Sequence, residues 1–133
     1  MLPQIDIENL IKVEFKDTAS AAESTAALAK LIEAQCDKVE LRGDNAVRFH
    51  SEWEPPFKLM KTWSKENPDA TITIWADALA KHHWILKGTI AAGKSEEVTL
   101  SRVDDQFETV CKEIFGCTYD EWEKSPREPF AHA

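Results

Sequence analysis

The chain has 133 residues, 43% of them apolar and 30% charged, with a formal net charge of −8. That is the composition of one globular domain with enough apolar material for a single core. It excludes a membrane-spanning helix, because no apolar run approaches the roughly 18–20 residues one needs, and it disfavours a phosphate-binding surface, which draws its affinity from Lys and Arg.

The opening segment from Met1 to Asn9 has neither a basic flank nor an apolar run, so it does not read as a signal peptide. Cys36, Cys111 and Cys117 are odd in number and irregularly spaced, which suits free thiols in a reducing compartment. Both features point to a cytoplasmic protein.

Leu10 to Lys16 alternates, with Ile11, Val13 and Phe15 on one face and Lys12, Glu14 and Lys16 on the other, which predicts a half-buried strand. Ser20 and Glu23 have capping-box spacing and open an alanine-rich helix. Its apolar stripe is Thr25, Leu28, Leu31, Ile32 and Cys36, near which it ends. Lys38 to Arg42 alternates again, Gly43-Asp44-Asn45 tolerates the positive φ of a tight turn, and Ala46 to Trp53 returns as a strand. Pro55-Pro56 ends pairing and suits a helix start, so the spacing predicts a helix over 56–66 that buries Phe57, Leu59, Met60 and Trp63.

Thr71 to Trp75 is β-branched and aromatic, and reads as a strand. Asp77 to Lys81 is a connection, His82 to Ile90 a further strand, Ala91 to Ser95 a turn, and Glu97 to Val103 a last strand. From Asp104-Asp105 a helix carries Phe107, Val110, Cys111, Ile114 and Phe115 at helical spacing, with Gly116 as its cap. Tyr119 to Glu123 is a short turn, and the chain from Ser125 onward a tail.

The order is β-α-β-β-α-β followed by β-β-α. We therefore expect an α+β fold, a ferredoxin-like β-α-β-β-α-β sheet with a C-terminal β-β-α extension. It forms a single domain over 1–133, with a ferredoxin-like core at 10–76, C-terminal strands and helix at 82–116, and a tail at 125–133.

The stretch from Lys38 to Val98 resembles the ferredoxin-like domain of the YubB-like proteins of bacterial plasmids and phages. Val47-Arg-Phe-His-Ser-Glu-Trp53-Glu-Pro55-Pro56, the following helix, Thr73-Ile-Trp75-Ala-Asp77, and Trp84 with Gly88 carry the resemblance. It implies a fold and a mobile-element setting, and it brings no activity with it. The large N-terminal region of the family's longer members has no counterpart here.

Trp53-Glu-Pro-Pro reads as a rigid corner, with Trp53 packed over the start of the next helix; the functional alternative is an exposed aromatic anchor. Trp63 falls on a helical apolar stripe and reads as core. Trp75 and Thr73 lie opposite Ile72 and Ile74. Were that second face bare, Trp75 with His50 and either His82 or His83 would form an aromatic patch of the kind RNA-recognition sheets use. The basic companions of such a sheet are missing, and the C-terminal elements are an alternative cover.

His82 and His83 point to opposite faces of a strand, so they do not share a metal. Cys111 and Cys117 have no metal-knuckle spacing, and Cys111 lies in an apolar stripe. Ala91-Ala-Gly-Lys-Ser95 lacks the first glycine of a phosphate loop and is followed by a strand. No catalytic residue, metal or cofactor is expected. Glu52, Glu54, Asp69, Asp77, Glu96, Glu97, Asp104 and Asp105 fall near loops and strand ends, with Asp120, Glu121 and Glu123 further on. Grouped, they would engage a basic groove on another protein; scattered, they mean only solubility.

The leading expectation is a small acidic non-enzymatic accessory protein of phage or plasmid type that binds or inhibits another protein. The partner is a basic protein surface rather than nucleic acid or membrane, met by Trp75, His50, His82, Glu52, Glu54 and Asp77. The alternatives are an enzyme using His82 or His83 with a carboxylate, and a sheet that binds single-stranded nucleic acid.

Overall fold

A computed structural model describes residues 6–17, 19 and 21–131. In chain order the elements are β1 (Asp6–Phe15), α1 (Ala21–Glu33), β2 (Asp37–Arg42), β3 (Ala46–Glu52), α2 (Phe57–Glu66) and β4 (Ala70–Ala78). There follow α3 (Leu79–His82), β5 (Trp84–Ala91), β6 (Lys94–Leu100), α4 (Phe107–Phe115) and α5 (Tyr119–Lys124). The fold is α+β: one antiparallel sheet of six strands in the order β2-β3-β1-β4-β5-β6, with five helices among the described residues.

Strand alternation divides the sheet into two faces. β4 shows it most cleanly, with Ala70, Ile72, Ile74, Ala76 and Ala78 buried and Thr71, Thr73, Trp75 and Asp77 half-buried between them. The first face carries Ile7, Ile11, Val13, Val47 and Phe49 with the buried β4 residues, and is closed by Leu28, Ala29 and Ile32 of α1 and Met60 and Trp63 of α2. Ala29 faces inward where Leu31 was expected; Leu31 stays 48% exposed. Ser20, the expected capping residue of this helix, lies outside the described residues.

The second face carries Leu10, Ala46, Ile85 and Leu100 under Phe107, Val110, Cys111, Ile114 and Phe115 of α4. Gly116 ends α4 in the left-handed region at φ 72° and donates to Lys112 O at 2.8 Å. Thr118 and Glu121 then form a reciprocal capping box for α5. Residues 125–131, read from sequence as a tail, bring Phe130 into this second core, where it is 1% exposed. Its N–H donates to Ile114 O at 2.7 Å and its carbonyl accepts from Arg42 at 3.3 Å. No helix among the described residues is long and apolar enough to cross a membrane.

Candidate functional site

Register brings charged residues from separate strands to one end of the second face. Across the β1–β3 ladder Asp6 is opposite Glu52 and Glu8 opposite His50; across β1–β4 Glu8 is opposite Asp77; across β2–β3 Asp37 is opposite His50. Glu8 thus lies between His50 and Asp77. Its carboxylate accepts from Arg48 Nη2 at 2.9 Å and stands 3.5 Å from His50 Nε2. The same Arg48 nitrogen reaches Glu128 at 2.7 Å, tying the C-terminal segment to the site. Burial alone would lower the Arg48 pKa, and the two carboxylates together more than offset that, so it is raised.

Asp77, next to last in β4, accepts the Leu79 N–H at 2.9 Å, which starts α3. Burial pushes its carboxyl up to about 6, against the Leu79 hydrogen bond and with help from the charge of Glu8. A cleft of about 200 Å³ beside it is lined by Glu8, Asp77, Ala78, Leu79, Ala80 and Lys81. Neither His82 nor His83 lines it. His82 is half-buried with Nε2 unpartnered, and His83 is exposed at φ 63° as the cap of α3. A separate hollow of about 580 Å³ over β5–β6, lined by Lys87, Gly88, Thr89 and Ser95 to Val98, gathers no comparable cluster.

Past the end of β3 the chain turns sharply. Trp53 takes φ 65°, and the Glu54 N–H bonds to Glu52 O at 2.6 Å, closing a three-residue turn. A second such turn follows at Pro56 (φ −78°, ψ 66°), with the Phe57 N–H on Pro55 O at 2.8 Å. The corner is there, but Trp53 keeps 52% of its surface exposed instead of packing over α2. Glu52 and Glu54 on either side are both exposed.

Of the residues singled out from sequence, His50, Glu52 and Asp77 meet at this end, Glu54 adjoins them in the corner, and His82 sits on the short helix beyond Asp77. Trp75 stands apart, two residues further into the sheet. Its indole N–H donates to Glu113 at 3.0 Å, and the ammonium groups of Lys12 and Lys87 lie 5.8 and 5.6 Å from its ring centre. Lys87 also pairs with Glu113 at 2.8 Å. Glu8 and Arg48 were missed, because a single charged residue on a half-buried strand has no local signature; only the β1–β3–β4 register joins them. Among the described residues no three His, Cys, Asp or Glu side chains gather as metal ligands. Comparison with protein-family models, curated proteins and solved structures finds no match.

Proposed function

We propose that this is a small acidic, non-enzymatic protein that binds or inhibits another protein by engaging a basic surface on that partner. The observation that carries it is the convergence of Glu8, Glu52 and Asp77 from three strands on one sheet end, with Glu54 beside them. Arg48 is shared between Glu8 and Glu128, so the cluster keeps negative charge to offer a cationic surface. The strand order β2-β3-β1-β4, with α1 and α2 on one face, supports reading the first six elements as ferredoxin-like and β5, β6 and α4 as an extension. The resemblance of Val47–Pro56 and Thr73–Asp77 to YubB-like proteins supports a cytoplasmic accessory role in a phage or plasmid. Affinity capture from bacterial lysate at low salt tests the proposal. A partner should be retained, released as salt rises, and lost with E52Q/E54Q; capture indifferent to salt and to those changes would sink it.

A second reading has one observation behind it. Lys12 and Lys87 lie against the Trp75 ring, and of the two Lys12 is the cation not paired with Glu113 of α4, so it is the basic companion this reading draws on. It requires a salt-sensitive gel shift with single-stranded oligonucleotides that Trp75→Ala abolishes.

A further inference from the structure

We infer that Trp53 is the anchor of the acidic docking surface, stacking its indole on a lysine or arginine side chain of the partner while Glu52 and Glu54 pair with the charge. This rests on the carboxylate end being a docking surface. Trp53 sits in the left-handed region, which L side chains avoid, within a turn closed by a 2.6 Å hydrogen bond. A glycine would supply that geometry without strain. A large aromatic normally offsets such strain by burial, yet Trp53 is 52% exposed. What the turn achieves is display: the indole is held at the sheet end between two exposed carboxylates.

That combination selects the partner's chemistry. The indole face attracts cations, and tryptophan and arginine recur together where interfaces are strongest. An apolar partner would strip water from Glu52 and Glu54 and leave both charges unpaired. A phosphate backbone would be repelled by them and by the net charge of −8.

The full chain, ¹⁵N-labelled, is titrated with a nine-residue arginine peptide while the indole N–H signals of its five tryptophans are followed. Trp53→Phe identifies the Trp53 signal. That signal should move most. Trp53→Ala should weaken binding by roughly tenfold or more, and E52Q/E54Q should weaken it with the rest of the spectrum unchanged. Equal affinity in Trp53→Ala and wild type, or a Trp53 signal that stays put while others move, overturns the anchor and leaves the acidic surface standing. No binding of the peptide to the wild-type chain overturns both.

Discussion

Glu8 and Asp77 are opposite each other across the β1–β4 ladder, and among the described residues only Glu8 has a paired cation, Arg48 at 2.9 Å. The two carboxylates therefore occupy different electrostatic settings a strand apart. Glu8 lies between Arg48 Nη2 at 2.9 Å and His50 Nε2 at 3.5 Å, while Asp77 is half-buried and accepts one hydrogen bond, from the Leu79 N–H.

Asp77 should make stability fall as pH rises. Its carboxyl lies at about 6 in the folded chain against an ordinary 3.8. The folded state therefore holds a proton that the unfolded state has released between those values, and stability declines across the interval. The stabilisation is complete below about pH 4 and gone above about pH 6, and is worth about 2–3 kcal/mol by the linkage conversion. Asp77→Asn keeps an acceptor for Leu79 and removes the ionisation. Urea melts at pH 4.5 and 7.5 should show the variant gaining stability over wild type mainly at the higher pH. An equal difference at both would mean that Asp77 does not titrate in this range.

The β5–β6 hairpin makes a sharper local prediction. Ala92 (φ 51°) and Gly93 (φ 79°) both take the left-handed region, as the two central residues of a tight hairpin turn must. Asn or Gly suits the first of these positions better than Ala. Ala92→Asn should raise stability by about 0.5–1 kcal/mol. Gly93→Ala should lower it by about 1–2 kcal/mol, through φ alone, since the nearest atom to an added Cβ is Lys65 Cβ at 3.4 Å.

Gly88 is required for a different reason. It pairs with Glu97 in the β5–β6 ladder, and a Cβ there would fall 2.9 Å from Glu97 Cβ and 3.1 Å from Glu96 O. Since one of these is main chain, the strands must part. Gly88→Ala should cost about 1–3 kcal/mol and weaken amide protection along β6 first, measurable by hydrogen exchange.

These elements show what local pattern conveys and what it does not. The alternation of Ile72, Ile74 and Trp75 assigned both faces of β4 correctly, and the stripe from Phe107 to Phe115 is buried throughout. Alternation marks β1 only from Leu10, four residues after the strand begins at Asp6, because Asn9 interrupts the apolar face. It is fully buried and donates to Ile7 O, Phe49 O and Ser51 Oγ, partners that no one-dimensional pattern shows. Asp104 looked like a helix start, but its carboxylate accepts from the Ser101 N–H at 2.7 Å, so it closes a turn and α4 begins at Phe107. β2 has a bulge between Asp37 and Glu40 at Lys38 (φ 53°), an edge-strand device that leaves no periodic trace. At the site, Glu52, Glu54 and Asp77 are visible singly and Glu8 is not; their convergence depends on strand order.

Phe130 is the least legible residue and the one whose removal should matter most. A lone aromatic after Pro126 and Pro129 has no periodicity, yet it is buried in the second core, with its N–H on Ile114 O. The C-terminal segment is also tied by Arg48 to Glu128 at 2.7 Å, but the Glu128 side chain is 65% exposed, and such a pair is screened by water. Burial should therefore dominate. Phe130→Ala should cost about 3–4 kcal/mol in a urea melt, and Glu128→Gln less than about 1 kcal/mol. The two also differ at the docking surface. Glu128→Gln releases Arg48 from one of its carboxylates and leaves it to Glu8, so binding of the arginine peptide should weaken modestly while stability barely moves. Phe130→Ala, by detaching the segment, should uncover part of the second core and raise binding of a hydrophobic dye. A Phe130→Ala chain as stable as wild type would mean that the segment is not held by this contact.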